Sequence, residues 1–213
     1  MTEAEWLVSG DTEAMLTLAH CNDTRKRRLC GCACARGVLH FLNGGPFEDA
    51  LLACESFADG AIPREQLIKL HTAVAVAKDQ LPKNSESEEA AWAVYWASDY
   101  HRFTQLHRTV SRAQFAYRAR RLEKVEMTRQ AALVRDIFGN PFRPVTFEPV
   151  WRTDTAVALA KQMYDSRDFS PMPILADALQ DAGCDSTDIL DHCRGDGPHV
   201  RGCWVVDLVL GKE

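Results

Sequence analysis

Five side chains able to bind a soft or borderline metal lie in one short, loop-interrupted stretch near the C-terminus: Cys184, His192, Cys193, His199 and Cys203. A structural zinc ion takes four thiolate or imidazole ligands in tetrahedral array. The turn at Gly195, Gly197 and Pro198 can fold His199 and Cys203 back toward His192 or Cys193. The spacing departs from familiar zinc frameworks, because there is no C-x-x-C knuckle and the adjacent His192 and Cys193 point in different directions on a helix. The competing reading makes Cys184, Cys193 and Cys203 small buried hydrophobes and lets the histidines cap loops.

The same residues hold the parts of a nucleophilic site, with Cys203 or Cys193 attacking, His199 or His192 as base and Asp207 or Asp191 orienting the imidazole. No G-x-S-x-G or cysteine-protease signature accompanies them, nor any G-x-G-x-x-G, Walker loop or H-E-x-x-H. A second cluster comprises Cys30, Cys32, Cys34 and His40, with His20 and Cys21 just upstream. Cys30 and Cys34 share a helix face. Mixed with Ala and Gly along a helix, however, such cysteines are more often the small residues of a close helix crossing.

Between positions 101 and 135 basic residues far outnumber acidic ones, and Arg112, Arg118, Arg120, Arg121 and Lys124 are the candidates for contact with phosphates or an acidic partner. Arg102 and the aromatic Phe103, Phe115 and Tyr117 are interleaved with them. Glu86, Glu88 and Glu89 are acids that can pair with this stripe inside the chain. Trp92, Tyr95, Trp96 and Tyr100 follow helical spacing, which marks either core or, if exposed, an aromatic anchor for a partner.

Helices are expected to carry nearly all of these residues. Thr2 and Glu5 form a capping box, and Asp11 starts a second helix running to about His20. A third follows Asn22, Asp23 and Thr24 and continues to Leu42; its opening run Arg25 to Arg28 opposes the helix dipole, which points to a use outside the helix or, the favoured reading, a solvated turn. Phe47 to Ala58 and Arg64 to Gln80 make a helical hairpin. After the polar stretch from Pro82 to Ser87, nothing breaks a helix until Gly139, so one long helix, or two bending near Asp99, is expected. Residues 140–150, rich in proline, form an extended connector. Helices resume at Thr155 to Asp165, Pro173 to Asp181 and Thr187 to Arg194. Cys203 to Leu210 fits either a helix or a strand.

Three regions follow: an N-terminal helical region (1–82), a long helical segment (83–139) and a small C-terminal helical region with the Cys/His cluster (140–213), which can also form one continuous domain. The fold class is all-α, a multi-helix bundle or helical-repeat-like array. With 213 residues the chain can bury about 70% of its unfolded surface and needs no covalent staples. A net charge of -5 implies no overall attraction to nucleic acid or anionic lipid. The acidic N-terminus lacks a signal-peptide pattern, and no apolar run approaches the roughly 18 residues of a membrane span, so a cytoplasmic location with reduced thiols is expected.

The strings Ile137-Phe138-Gly139-Asn140-Pro141-Phe142-Arg143-Pro144, His192-Cys193-Arg194-Gly195 and Gly197-Pro198-His199-Val200-Arg201-Gly202-Cys203-Trp204-Val205-Val206-Asp207, with the opening Met1-Thr2-Glu3-Ala4-Glu5-Trp6-Leu7, are similar to a family of uncharacterised proteins abundant in planctomycete bacteria. The resemblance spans the chain from end to end and implies a bacterial cytoplasmic setting. It transfers no catalytic or binding residue. The expectation is a non-catalytic helical interaction or scaffold protein, with another protein as partner. The alternative is a nucleic-acid-associated or regulatory protein using the Arg-rich segment 102–135, with a C-terminal zinc site. A cysteine-dependent hydrolase comes third.

Overall fold

A computed structural model describes residues 1–19, 23–101 and 105–212. His20, Cys21, Asn22, Arg102 and Phe103 lie outside the described residues. The chain is all-α, with twelve α-helices and no strand among the described residues. It divides into two compact units, Met1–Val134 and Arg135–Glu213.

The first unit holds α1 (Glu3–Val8), α2 (Thr12–Leu18), α3 (Thr24–Arg36), α4 (Phe47–Ala58), α5 (Arg64–Asp79), α6 (Glu86–Ala97), α7 (Leu106–Ala116) and most of α8 (Glu123–Phe138). The Thr2 and Glu5 capping box closes α1, and the Asp11 carboxylate accepts from the Ala14 amide at the start of α2. Helix α3 packs on α4, α6 and α7, and α5 packs on α4 and α6. Its Cys30, Cys32 and Cys34 are buried, and a side-chain carbon at Gly31 would touch Ala97 at 3.8 Å, so small residues here permit a close helix crossing. The polar Pro82–Ser87 stretch joins α5 and α6 within this one unit.

Two departures from the sequence expectations share one physical cause: long-range arginine contacts. Helix α3 ends at Arg36, six residues before Leu42, and only a short 3-10 turn, Leu39–Phe41, follows. The Arg129 guanidinium donates to the carbonyls of Ala33 (3.4 Å) and Cys34 (2.9 Å), and a Cβ at Gly37 would collide with it. The expected long helix is instead three, α6, α7 and α8, because α6 stops at Ala97. Arg28 donates to the carbonyls of Asp99 and His101 just beyond that stop. The basic run at the start of α3 is therefore not a solvated turn. Arg28 is buried, and Arg25 pairs with Asp59 at 2.9 Å.

The second unit holds the last turn of α8 with α9 (Asp154–Ser166), α10 (Met172–Asp181), α11 (Thr187–Arg194) and α12 (Trp204–Leu210). The Pro-rich segment after Gly139 has no helix until a 3-10 turn at Pro149–Trp151, and its Val145 and Phe147 pack on the unit's core. Met163, Met172, Leu175, Leu179, Val205 and Val209 are among the fully buried residues of that core. Residues 204–210 are helix, which puts Val205, Val206 and Val209 on the inner face.

Arg28→Met removes donors from two carbonyls and is expected to lower unfolding free energy by about 2–4 kcal/mol in urea denaturation. The exposed Lys69→Met is expected to stay within about 0.5 kcal/mol of the parent. Equal small effects would show that Arg28 does not secure this crossing.

Candidate metal centre

Four side chains of the second unit converge on one point: Asp136, His192, His199 and Cys203. Asp136 comes from the last turns of α8, and His192 from the last turn of α11. His199 sits in the loop between α11 and α12, and Cys203 is the residue that opens α12. The chain returns to Cys203 through a turn closed by the Cys203 amide on the Val200 carbonyl at 2.9 Å. Gly202 occupies that turn at φ 97°, a conformation an L side chain would resist.

One potential ligand atom from each residue lies within 4.8 Å of every other. His199 Nδ1 is 2.9 Å from Asp136 Oδ1, His192 Nε2 is 3.2 Å from the same oxygen, and His192 Nε2 is 3.2 Å from Cys203 Sγ. In a tetrahedron with metal–ligand bonds of about 2.0–2.3 Å, ligand atoms lie about 3.3–3.7 Å apart. All three separations fall below that range, and the four atoms lie within 4.8 Å of one another, so the group could hold a metal ion once its side chains adjust.

The electrostatics fit the same purpose. Burial pushes the Asp136 carboxyl up, but hydrogen bonds and charge from His192 and His199 outweigh it and hold the group below the usual carboxylate range. Its second oxygen, Oδ2, accepts from the Val200 amide at 2.9 Å, which fixes the carboxylate plane and leaves Oδ1 for the shared centre. Burial, with the nearby Asp136 charge, pushes the Cys203 thiol well above its ordinary value, against the opposing pull of the Val206 and Val205 amides. A divalent cation at this point reverses that balance, because a coordinated thiol gives up its proton. The Nε2 of His199 is buried with no hydrogen-bond partner among the described residues.

Of the five residues the sequence offers as ligands, the structure brings together His192, His199 and Cys203. Cys193 and Cys184 are outside the group and lie in the apolar core of the unit. Being one position apart on α11, His192 and Cys193 face about 100° away from each other, so only one can reach the centre. Asp136 completes the set from a helix 56 positions before His192. Its only mark in the sequence is an acid beside the apolar stripe Leu133, Val134 and Ile137.

His192 is not placed as the base of a catalytic relay. In such a relay the base uses one ring nitrogen for the nucleophile and the other for the carboxylate. Here the same Nε2 of His192 faces both Cys203 and Asp136. Cys203 is fully buried, Asp191 is exposed, and Asp207 is buried on α12 outside the group of four.

The basic residues named from the sequence belong to the first unit. Arg112 pairs with Glu89 at 2.7 Å, and Arg120 grips both oxygens of Glu86 at 2.8 and 3.0 Å. Arg118 approaches Glu123 only at 3.9 Å, while Arg121 and Lys124 are exposed. The Trp92, Tyr95, Trp96 and Tyr100 stripe is partly covered by cations, with Lys78 3.8 Å from the Trp92 ring centre and Arg108 4.4 Å from that of Trp96. Among the described residues no helix is long and apolar enough to cross a membrane. Comparison with known proteins gives no family model, curated sequence or solved structure that matches the chain.

Burial pushes the Cys193 thiol up to about 12, and Cys203 is raised as well. Both are expected to resist iodoacetamide at pH 8 in the folded protein and to react within minutes in urea, as read by peptide mass spectrometry. Rapid labelling of Cys203 in the folded chain would reveal the accessible, activated thiol that a hydrolase needs.

Proposed function

We propose that this chain is a non-catalytic helical interaction protein of the bacterial cytoplasm, whose second unit is secured by a structural zinc ion. The observation that carries the zinc reading is the convergence of one thiol, two imidazoles and one carboxylate within 4.8 Å of one another, the thiol and carboxylate buried and the imidazoles partly so. Four protein donors complete the coordination shell. A catalytic zinc, by contrast, keeps one position open for water or substrate. The mix of one sulfur, two nitrogens and one oxygen suits a borderline ion such as zinc rather than calcium or magnesium, which prefer oxygen donors throughout.

The ion would supply a four-way crosslink. Asp136 anchors the end of α8, His192 the end of α11, His199 the connecting loop, and Cys203 the start of α12. Helix α12 has only seven residues, and α11 only eight. Helices this short are marginal without tertiary anchors. A reducing cytoplasm keeps the single ligand thiol available. The interaction role rests on the closed character of this centre together with exposed apolar side chains on the first unit, Phe115, Leu122 and Val125.

Protein purified without a histidine tag or chelators is expected to contain close to one zinc per chain by elemental analysis. Ligand present at about 100 times its dissociation constant stabilises by about 2.7 kcal/mol. At about 4–8 °C per kcal/mol for a unit of this size, chelation should lower its melting temperature by about 10 °C or more. His199→Ala and Cys203→Ser should lose the metal and melt like the chelated parent, whereas Cys184→Ser should keep it. Metal-free protein indifferent to chelators would remove the zinc reading.

A further inference from the structure

Where α3 packs on α4 in the first unit, the crossing holds a thiol from each helix, Cys32 and Cys54, both fully buried. The Cys32 S–H has two acceptors in reach, the Leu51 carbonyl at 3.8 Å and the Cys54 sulfur. Leu51 lies one turn before Cys54 on α4, and its carbonyl opens toward that next turn. The Cys54 thiol donates to the carbonyl of Ala97, the last residue of α6, at 3.2 Å. Arg28, one turn before Cys32 on α3, also hydrogen-bonds to the Cys54 sulfur, and it holds the Asp99 and His101 carbonyls just beyond α6. The two thiols thus meet at the junction of α3, α4 and the end of α6.

Their surroundings make them unequal. The hydrogen bond from Cys32 draws the Cys54 thiol below its ordinary value against the opposing effect of burial, and the Arg28 charge adds to the fall. Cys32 moves the other way, pushed well up by the same hydrogen bond and by burial. Cys54 therefore carries the thiolate character, and Cys32 keeps its proton. The thiolate is the form that peroxides oxidise, and a second thiol in contact converts the first oxidation product into a disulfide. Burial excludes a bulky thiol such as glutathione, so an oxidised Cys54 meets Cys32 before any other partner.

We propose that Cys32 and Cys54 are a redox-sensitive pair that a small hydroperoxide converts into a disulfide stapling α3 to α4. The Cys54 thiolate attacks one peroxide oxygen and the O–O bond breaks. Cys54 becomes a sulfenic acid, and the second oxygen leaves as water with the proton that Cys54 gave up. The Cys32 sulfur then attacks the Cys54 sulfur, the S–O bond breaks, and the oxygen leaves as a second water with the Cys32 proton. Two thiols and one hydrogen peroxide thus give one disulfide and two waters, and a dithiol reductant restores both thiols. Both S–H donors are lost from the Leu51 and Ala97 carbonyls, but these are weak sulfur hydrogen bonds, and the covalent loop across the α3–α4 connection outweighs them. Transient disulfides of this kind are the ones a reducing compartment permits. The pair lies in the first unit, so the inference is independent of the metal centre.

The test exposes the full chain, reduced and then freed of reductant, to millimolar hydrogen peroxide and maps its cysteines by non-reducing peptide mass spectrometry. A linked pair of peptides carrying Cys32 and Cys54 is expected as the main disulfide. Amide hydrogen exchange in α3 and α4 should slow about tenfold or more, and dithiothreitol should reverse both changes. Cys32→Ala should stop at a Cys54 sulfenic acid, trapped by dimedone on unfolding in urea, whereas Cys54→Ala should leave Cys32 unoxidised. If either variant fails to fold, the mapping of the parent chain decides alone. Oxidation that spares this pair, a link from either thiol to another cysteine, or a Cys32–Cys54 link that forms only in urea overturns the proposal. A linked chain whose α3 and α4 amides exchange as fast as before overturns the staple.

Discussion

A buried carboxylate is costly unless opposite charge or several hydrogen bonds surround it, and the second unit is built around one. Asp136 is fully enclosed, and the chain brings two imidazoles, a thiol and a backbone amide to it from elements far apart in sequence. Each of those groups would be expensive to bury alone. Together they form a set that could hold a metal ion. The short helices α11 and α12, the loop between them and the positive-φ turn at Gly202 are arranged as that convergence demands.

The first unit solves a related problem differently. Glu55, Lys78, Asp99 and Glu126 are buried there along with Arg28, and the guanidinium groups of Arg28 and the half-buried Arg129 donate to backbone carbonyls at or just past helix ends. Arg129 caps the end of α3, and Arg28 caps the segment just past α6. Arg129 satisfies acceptors that the end of α3 leaves open, and Arg28 satisfies acceptors in the segment after α6. Other arginines pair with carboxylates or lie over aromatic rings, and a small exposed group stands near the α7–α8 turn. Electrostatics in this unit therefore does two separate jobs: it stabilises helix ends inside, and it leaves a cationic rim outside.

How much of this could be read from residues in order depended on the range of the determining contact. Local determinants were legible: the Thr2 and Glu5 box and the Asp11 cap act within a few positions, and the helices they start are present. The end of α3 and the break after α6 were not legible, because the residues that set them, Arg129 and Arg28, lie 95 and 71 positions from the carbonyls they bind. The candidate metal cluster was legible in part for the same reason. His192, His199 and Cys203 sit close together in the chain, but Asp136 joins them through tertiary folding, and only helix geometry separates His192 from its neighbour Cys193.

The central claim is that Asp136, His192, His199 and Cys203 form one tetrahedral site with a single sulfur donor. Replacement of the bound ion by cobalt(II) tests it most directly, because the visible spectrum of cobalt reports both coordination geometry and sulfur ligation. The account predicts intense visible bands of a four-coordinate ion and a near-ultraviolet sulfur-to-cobalt band, both lost in Cys203→Ser. The weak spectrum of a six-coordinate, oxygen-ligated ion, or a sulfur band that survives in Cys203→Ser, would contradict it.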